Sequence, residues 1–379
     1  MKSLLLLFTA LITIFSFSQN AEISLADYTL TDPTSPAFLI LEESPTEIYT
    51  PNNLKPMIIH ALNNFDGGLS VEFVPYFFTK DNNRTYFKYI GVYDGDNLYD
   101  ISNPNPNIKQ KPFSGIFRTL SISGAYVDKK FSGIEESRKT YSIGLRTTLI
   151  RFYDKNKVYK NALELSDKLS TIDLPKDLIS KRKAARLSGD SDLEEFYQKA
   201  ITTYYEGKEK KLLQPFLKTV KPLFKVDGAI GYSALFNDND IASGTSKRFG
   251  SWLIAESTIL LNGGIANRKY NNYFNIFALG RYVEDDFNLM DNGFLSTSFY
   301  RDLGGKIEFE FGKFAMSYEY ISRNGSINSD RSVGNLKYIV SKNISLIGGF
   351  GKDFDLQDNL VTLFGINWGL NIVDSNLKI

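Results

Sequence analysis

The chain of 379 residues holds one histidine, His60, and no cysteine. Zinc and haem sites draw on several His or Cys ligands, so neither a metal nor a cofactor is expected. A Ser–His hydrolase would need its imidazole on a strand beside a serine. His60 instead follows Met57-Ile58-Ile59, ahead of the first segment with clear strand alternation, and suits a packed side chain. Glu308 and Glu310 lie two apart and so share a strand face, where their titrations could couple as in glycosidases. Lys306 shares that face, and a ladder of ion pairs is the simpler account. Asp238-Asn239-Asp240 lacks the Gly and terminal Glu of an EF-hand loop. Gly348-Gly349-Phe350-Gly351 is followed by neither a helix nor a Lys-Ser/Thr pair, so it is no phosphate loop. No enzyme is expected.

The elements that position these residues are strands. From Leu69 onward, apolar and polar residues alternate in segments of roughly ten residues. Leu69, Val71, Phe73 and Phe77 oppose Ser70, Glu72 and Tyr76; Tyr141, Ile143, Leu145 and Leu149 oppose Ser142, Gly144, Arg146 and Thr148. Phe224, Val226, Ile230 and Tyr232 oppose Lys225, Asp227, Gly231 and Ser233. Ile307, Phe309 and Phe311 oppose Lys306, Glu308 and Glu310, and after Gly312-Lys313 the alternation resumes with Met316, Tyr318 and Tyr320 against Ser317 and Glu319. Further hairpin strands carry Leu336, Tyr338 and Val340, then Ile344 and Leu346, then Phe364, Ile366 and Trp368. Between residues 248 and 262 two registers compete, and Glu256 belongs to neither face unambiguously.

One face is bulky and apolar; the other is small, hydroxylic or charged. A soluble sandwich also alternates, but its outer face is richer in Lys and Glu than these Gly-, Ser- and Thr-bearing faces. With 22 Tyr and 29 Phe, the chain also has the aromatic supply for interfacial girdles. The expected fold is therefore all-β, a transmembrane antiparallel β-barrel of about 12 strands (range 10–14). The expected strands are 69–78, 85–93, 114–127, 138–153, 223–236, 248–262, 271–283, 303–311, 314–322, 333–341, 344–351 and 359–370, with a helical insertion between the fourth and fifth.

The start of the chain agrees. Lys2, an apolar run from Leu4 to Phe15, and Ser16 and Ser18 ahead of Gln19 describe a secretory signal over residues 1–18. No Cys at the cut points to lipid anchorage. Residues 19–68, with Pro33, Pro36, Pro45, Pro51 and Pro56, are expected to be an extended periplasmic arm, and residues 69–379 the barrel. Within 154–222, Ser191 and Glu194 suggest a capping box, a helical stripe runs through Phe196, Ala200 and Tyr204, and Gly207 is expected to end it; a second helix is expected over 165–186, broken at Pro175. The tight turns Gly312-Lys313 and Lys342-Asn343 are expected to be periplasmic, with 284–302, 324–332 and 352–358 as outer loops and both termini and 154–222 on the periplasmic side.

Ser35-Pro36-Ala37-Phe38, Glu43-Ser44-Pro45-Thr46-Glu47-Ile48, Lys55-Pro56 and Gly68-Leu69-Ser70-Val71-Glu72-Phe73-Val74-Pro75-Tyr76 resemble the opening of uncharacterised outer-membrane barrel proteins from Bacteroidota-type bacteria. The resemblance covers about the first 80 residues and implies location and fold, not an activity.

The functional expectation is a narrow, porin-like channel for small hydrophilic solutes. Its lumen candidates are Glu72, Arg146, Lys225, Asp227, Lys306, Glu308, Glu310, Glu319 and Lys337. They mix both signs, so strong ion selectivity is not expected. The alternative is a non-conducting envelope scaffold that holds a periplasmic partner through residues 154–222. Expected partners are outer-membrane lipid and that protein. The net charge of +1 gives no footprint for nucleic acid.

Overall fold

A computed structural model describes residues 35–41, 48, 57–62, 68–78, 86–94, 97–98, 107–130, 137–173, 175–219, 221–236, 246–261, 272–289, 295–341, 344–354 and 360–371. The signal segment, most of the proline-rich arm, the turn residues 342–343, the 355–358 part of the expected 352–358 loop and Asp238-Asn239-Asp240 lie outside them.

The fold is mostly β. Fifteen strands are described: β1 Met57–Leu62, β2 Gly68–Phe73, β3 Val92–Asp94, β4 Asn97–Leu98, β5 Ile108–Gln110, β6 Ser121–Lys130, β7 Ser137–Phe152, β8 Phe224–Phe236, β9 Ser246–Leu260, β10 Tyr273–Leu289, β11 Leu295–Phe311, β12 Phe314–Gly325, β13 Ser329–Ser341, β14 Ile344–Lys352 and β15 Leu360–Asn371. The ten strands from β6 to β15 form one antiparallel sheet in chain order. β1 pairs with β15 on one side and with β2 on the other, and β2 pairs with β6. β3, β4 and β5 make a separate small sheet.

Five helices accompany them: α1 Pro36–Leu39, α2 Tyr86–Ile90, α3 Lys155–Ser170, α4 Lys176–Ser188 and α5 Ser191–Thr219. Because every neighbour in the sheet is antiparallel, α3 to α5, the excursion 74–120, and the turn at Gly312-Lys313 all lie at one end. The chain enters β1 and leaves β15 at that same end. We call it the helical end, and the other the far end.

The sheet begins earlier than the alternation suggested. Met57–Leu62 is apolar apart from His60, and its edges are satisfied by ladders to β2 and β15; contrary to expectation, His60 lies on a strand, with Ser70 and Gly369 opposite it in register. The expected arm of 19–68 therefore ends in a strand. Residues 85–93 do not form a strand of the large sheet; among the described residues there, only Val92 and Tyr93 are in a strand, β3 of the small sheet. Phe87, Ile90 and Val92 are each buried, α2 forms over Tyr86–Ile90, and Gly91 ends it at φ 77°, a conformation glycine adopts without strain. Likewise Pro112–Gly115 is a 3-10 turn, and β6 starts only at Ser121.

The expected outer loops are short. β10 continues to Leu289 through a bulge beyond Asp285, because the polar Glu284 and Asp285 remain in the ladder and pairing resumes at Asn288. Only residues 290–294 connect it to β11, and 326–328 connect β12 to β13. The apolar rhythm fails at these strand tips while the hydrogen bonding does not.

The helices are also longer and differently capped than expected. The Leu193 N–H donates to Asp190 Oδ1 at 3.0 Å, so Asp190 supplies the cap. α5 runs through Gly207, which has open space around it, to Thr219. α4 begins after Pro175 and ends in Gly189 at φ 75°, the usual left-handed helix stop.

Candidate functional site

Burial along the sheet strands is inverted relative to a water-soluble protein. The exposed face carries Ile143 at 65 %, Leu303 at 67 % and Phe350 at 64 % exposure, with Tyr141, Leu253, Ile276, Phe299, Tyr318 and Leu336 also exposed. The opposite face buries charge: Glu319 is 0 % exposed, Asp302 1 %, Glu256 2 % and Lys225 3 %. Alternation places the two sets on opposite faces because successive Cβ atoms point to opposite sides of a strand.

Six of the nine sequence candidates, Glu72, Arg146, Lys225, Asp227, Lys306 and Glu319, are buried on this polar face. Glu308, Glu310 and Lys337 are half-buried towards the helical end. The structure brings them together as ion pairs, some along one strand and some between strands. Arg146 Nη2 lies 2.6 Å from Glu72 Oε1, and Ser121 donates its hydroxyl to the same oxygen. Lys225 reaches Asp227 at 3.4 Å and Glu256 at 3.1 Å, and the Thr148 hydroxyl donates to Asp227. Lys306 lies 3.5 Å from Glu308, and the Asn275 amide donates to both Glu308 and Glu310. The Glu308–Glu310 pair thus belongs to an ion-pair ladder, as its spacing beside Lys306 suggested.

Sequence reading also missed charges on this face. Asp302 is gripped by Arg281 Nε at 2.8 Å and Arg323 Nε at 2.9 Å. Arg248 pairs with Asp285 at 2.8 Å, and Arg331 bridges Glu319 at 3.2 Å and Asp353 at 2.7 Å. Glu256 falls on the buried face with Trp252, Ile254 and Thr258, while Leu253 and Ile259 are exposed, which resolves the competing registers. The usable signal was a charge at every second position, hidden because Trp252, Phe277 and Ile321 share the face with the charges.

Part of the arm lies against this face. The Ala37 N–H donates to Ser123 Oγ at 3.1 Å, the Ser142 hydroxyl donates to the Ala37 carbonyl, and Ser35 donates to Ser70 at 3.2 Å. Arg248 donates to the Ile40 carbonyl at 3.2 Å, and the Ile48 N–H donates to Glu319 Oε2 at 2.9 Å. Leu39 and Ile48 join Ala229, Trp252, Ile254, Phe277, Leu279 and Ile321 in one apolar cluster. Phe354, just beyond β14, packs on that cluster from the far end, with the Arg323 guanidinium 3.7 Å over its ring. The arm therefore touches strands from β2 to β12.

At the helical end the 74–120 excursion docks on β7. The Arg151 guanidinium donates to the Tyr89 carbonyl and sits 4.9 Å over the Tyr89 ring. Gln110 contacts the Arg151 carbonyl and accepts from the Tyr153 N–H. Burial pushes the Tyr89 phenol up to about 12, opposed by the positive Arg151 beside it. Lys221, just before β8, is pushed down by burial, but the Glu310 and Glu256 carboxylates outweigh that and leave its ammonium above the ordinary range. The helices themselves stay largely outside. Leu187 is 80 % and Phe196 63 % exposed.

These groups form ion pairs and three-charge clusters, with two arginines on Asp302 and two carboxylates each on Arg331 and Lys225. Among the described residues no group of three or more His, Cys, Asp or Glu is placed to hold a metal ion. No family model, curated protein or solved structure matches the chain.

Proposed function

We propose that the chain is a twelve-strand β-barrel of the bacterial outer membrane, closed in its described conformation, that anchors the helices α3 to α5 at one end. The observation that carries this is the inverted burial: the sheet hides its charges and presents Leu, Ile and Phe outward. Water-soluble monomers rarely expose continuous apolar patches beyond a few hundred Å², whereas lipid solvates such a surface. Closure is supported by β1, which has a partner on each side, since a spanning sheet can leave no edge in hydrocarbon. The aromatic residues are spaced accordingly. Phe299 and Phe309 lie ten residues apart on β11, about 34 Å along a strand, or about 25 Å along the normal at the usual tilt of ~40°. That is the height of the apolar band in such barrels. The bacterial origin rests on the secretory signal and the resemblance of the N-terminal region.

An open bore for small hydrophilic solutes would leave its lining charges in contact with water. Their near-complete burial, with the arm and Phe354 packed over them, favours a filled bore and so the scaffold reading over the free channel. Leu187 and Phe196 are apolar contact points for a periplasmic protein.

The test is fractionation of the expressed chain followed by planar-bilayer recording. The expected result is an integral outer-membrane protein, resistant to extraction by high pH, that shows no conductance steps. Recovery of the mature chain dissolved without detergent overturns the membrane reading. Crosslinking from envelopes should recover a stoichiometric partner that is lost when 154–222 is deleted.

A further inference from the structure

Gly144, Gly231 and Gly250 sit side by side on β7, β8 and β9, each directly opposite the next in register. A Cβ on Gly144 would stand 2.6 Å from the Ala37 nitrogen and from Pro36 Cβ. On Gly231 it would meet Ile40 Cβ at 3.0 Å and the Pro36 carbonyl at 3.1 Å, and on Gly250 Ile40 Cδ1 at 2.6 Å. Glycine weakens a strand interior, and its presence there often marks a close approach of another backbone. Three paired glycines make a shallow trough across the wall, and α1 lies in it.

We infer that this glycine row is the seat of a displaceable plug, and that residues 35–41, with Ile48, are what shut the bore; the inference rests on the barrel reading above. The plug's described residues, 35–41 and 48, are all uncharged. Being uncharged, those residues are not counter-ions to the wall charges. The wall's hydrogen bonds to them include those of Ser70, Ser123, Ser142, Arg248 and Glu319, and its apolar contacts include those with Leu39 and Ile48. Water can serve the polar groups once the space opens. The cleared bore is then walled by hydroxyls and ion pairs beside Trp252, Phe277, Leu279 and Ile321, which suits small hydrophilic solutes of either sign.

Gly144 and Gly231 allow a selective test, because the nearest neighbours of an added side chain there are arm atoms, not wall atoms. Valine also favours strands over glycine, so Gly144→Val with Gly231→Val unseats the arm without loosening the barrel. The chain has no cysteine, so Ser35→Cys reports arm release through labelling by an impermeant maleimide. In the full-length mature chain, Ser35→Cys should stay unlabelled and the bilayer silent. In the double-valine background labelling should run to completion and discrete conductance steps should appear. Deletion of 35–48 should give the same steps, and it decides the matter if the double-valine chain does not insert. An inserted double-valine chain in which the thiol introduced by Ser35→Cys stays shielded overturns the glycine seat. A labelled chain without steps, or an inserted deletion variant without steps, overturns the plug. Steps of deletion-variant size in the unaltered chain also overturn the plug while leaving the barrel standing; only a soluble product removes the barrel itself.

Discussion

Removing Asp302 tests whether the buried face is dry. The Asp302 side chain is 0 % exposed and holds two guanidinium groups that are themselves 5 % and 7 % exposed. Truncation leaves both arginines without their shared anion. In a water-excluding interior, breaking such a pair costs about 3–5 kcal/mol, because an uncompensated charge stays buried. In a water-filled bore the same charges would be solvated and screened, and the loss would be about 0–1 kcal/mol, as for surface pairs. The Lys352–Asp330 pair is the internal control: it has a similar contact at 3.2 Å, but its side chains are 47 % and 41 % exposed. Asp302→Ala should therefore destabilise the vesicle-inserted barrel by about 3–5 kcal/mol, and Asp330→Ala by about 1 kcal/mol or less. Urea unfolding followed by tryptophan emission reads both, since Trp252 is buried on the same face as Asp302. If Asp302→Ala falls within about 1 kcal/mol of Asp330→Ala, the face is wet and the filled bore is wrong.

On the outward face, Leu303→Lys should destabilise the inserted barrel by about 2–4 kcal/mol, the cost of a lysine at the bilayer midplane; a near-zero change in the same unfolding assay means Leu303 faces water. Tyr89 is raised from an ordinary 10.0 to about 12, so the folded state prefers its protonated form. Below pH 10 the phenol is protonated in the folded and unfolded states alike, and stability falls by on the order of 3 kcal/mol as the pH climbs from 10 through 12. Tyrosinate titration should show one late phenol, absent in Tyr89→Phe, and loosening of the 74–120 excursion between those limits; a Tyr89→Phe chain that loosens identically rules the phenol out. Single cysteines at Leu187 and at Ile327, in the β12–β13 turn, lie at opposite ends. An impermeant maleimide on intact cells should label the Ile327→Cys chain alone, with Leu187→Cys reacting only after permeabilisation, and the reverse pattern inverts the assigned orientation.

Period-two alternation exposed most of the sheet because the two faces differ so strongly in chemistry. Tyr141, Ile143 and Leu145 against Ser142, Gly144 and Arg146 is legible without any structure. Met57–Leu62 was not, because an apolar run carries no alternation; the better clue was Asn63-Asn64 and Asp66-Gly67, turn residues that join it to the strand from Gly68. Tyr86–Ile90 misled for the opposite reason: five residues with a few aromatics fit a strand as well as one helical turn, and only the burial of Phe87, Tyr89 and Ile90 selects the turn. Asp302, Arg248 and Arg331 were missed because the paired partner lies on another strand, at a register that sequence spacing does not reveal. The seating of Ala37 and Ile48 was beyond reach, since no local pattern marks a segment whose contacts lie about 90 to 270 residues away.

In the proposed twelve-strand barrel, the size of the bore would account for the arm. In barrels of eight strands, wall side chains are enough to fill the interior, and diameter grows roughly linearly with strand number. In a barrel of twelve, side chains from opposite walls would fall short of one another, and paired charges left along such a gap would face water. The gap is closed unequally. On β7 to β9 the wall is thinned to glycine, and a backbone lies against it; on β9, β10 and β12 the bulky Trp252, Phe277, Leu279 and Ile321 reach inward to meet Leu39 and Ile48. Phe354 completes the contact from the far end. The charged ladders can be nearly dry because this apolar layer excludes water between them, and that dryness in turn makes each pair costly to break. Wall glycines, inward aromatics and the arm's aliphatic residues are therefore one coupled device, in which loosening any part admits water to the rest.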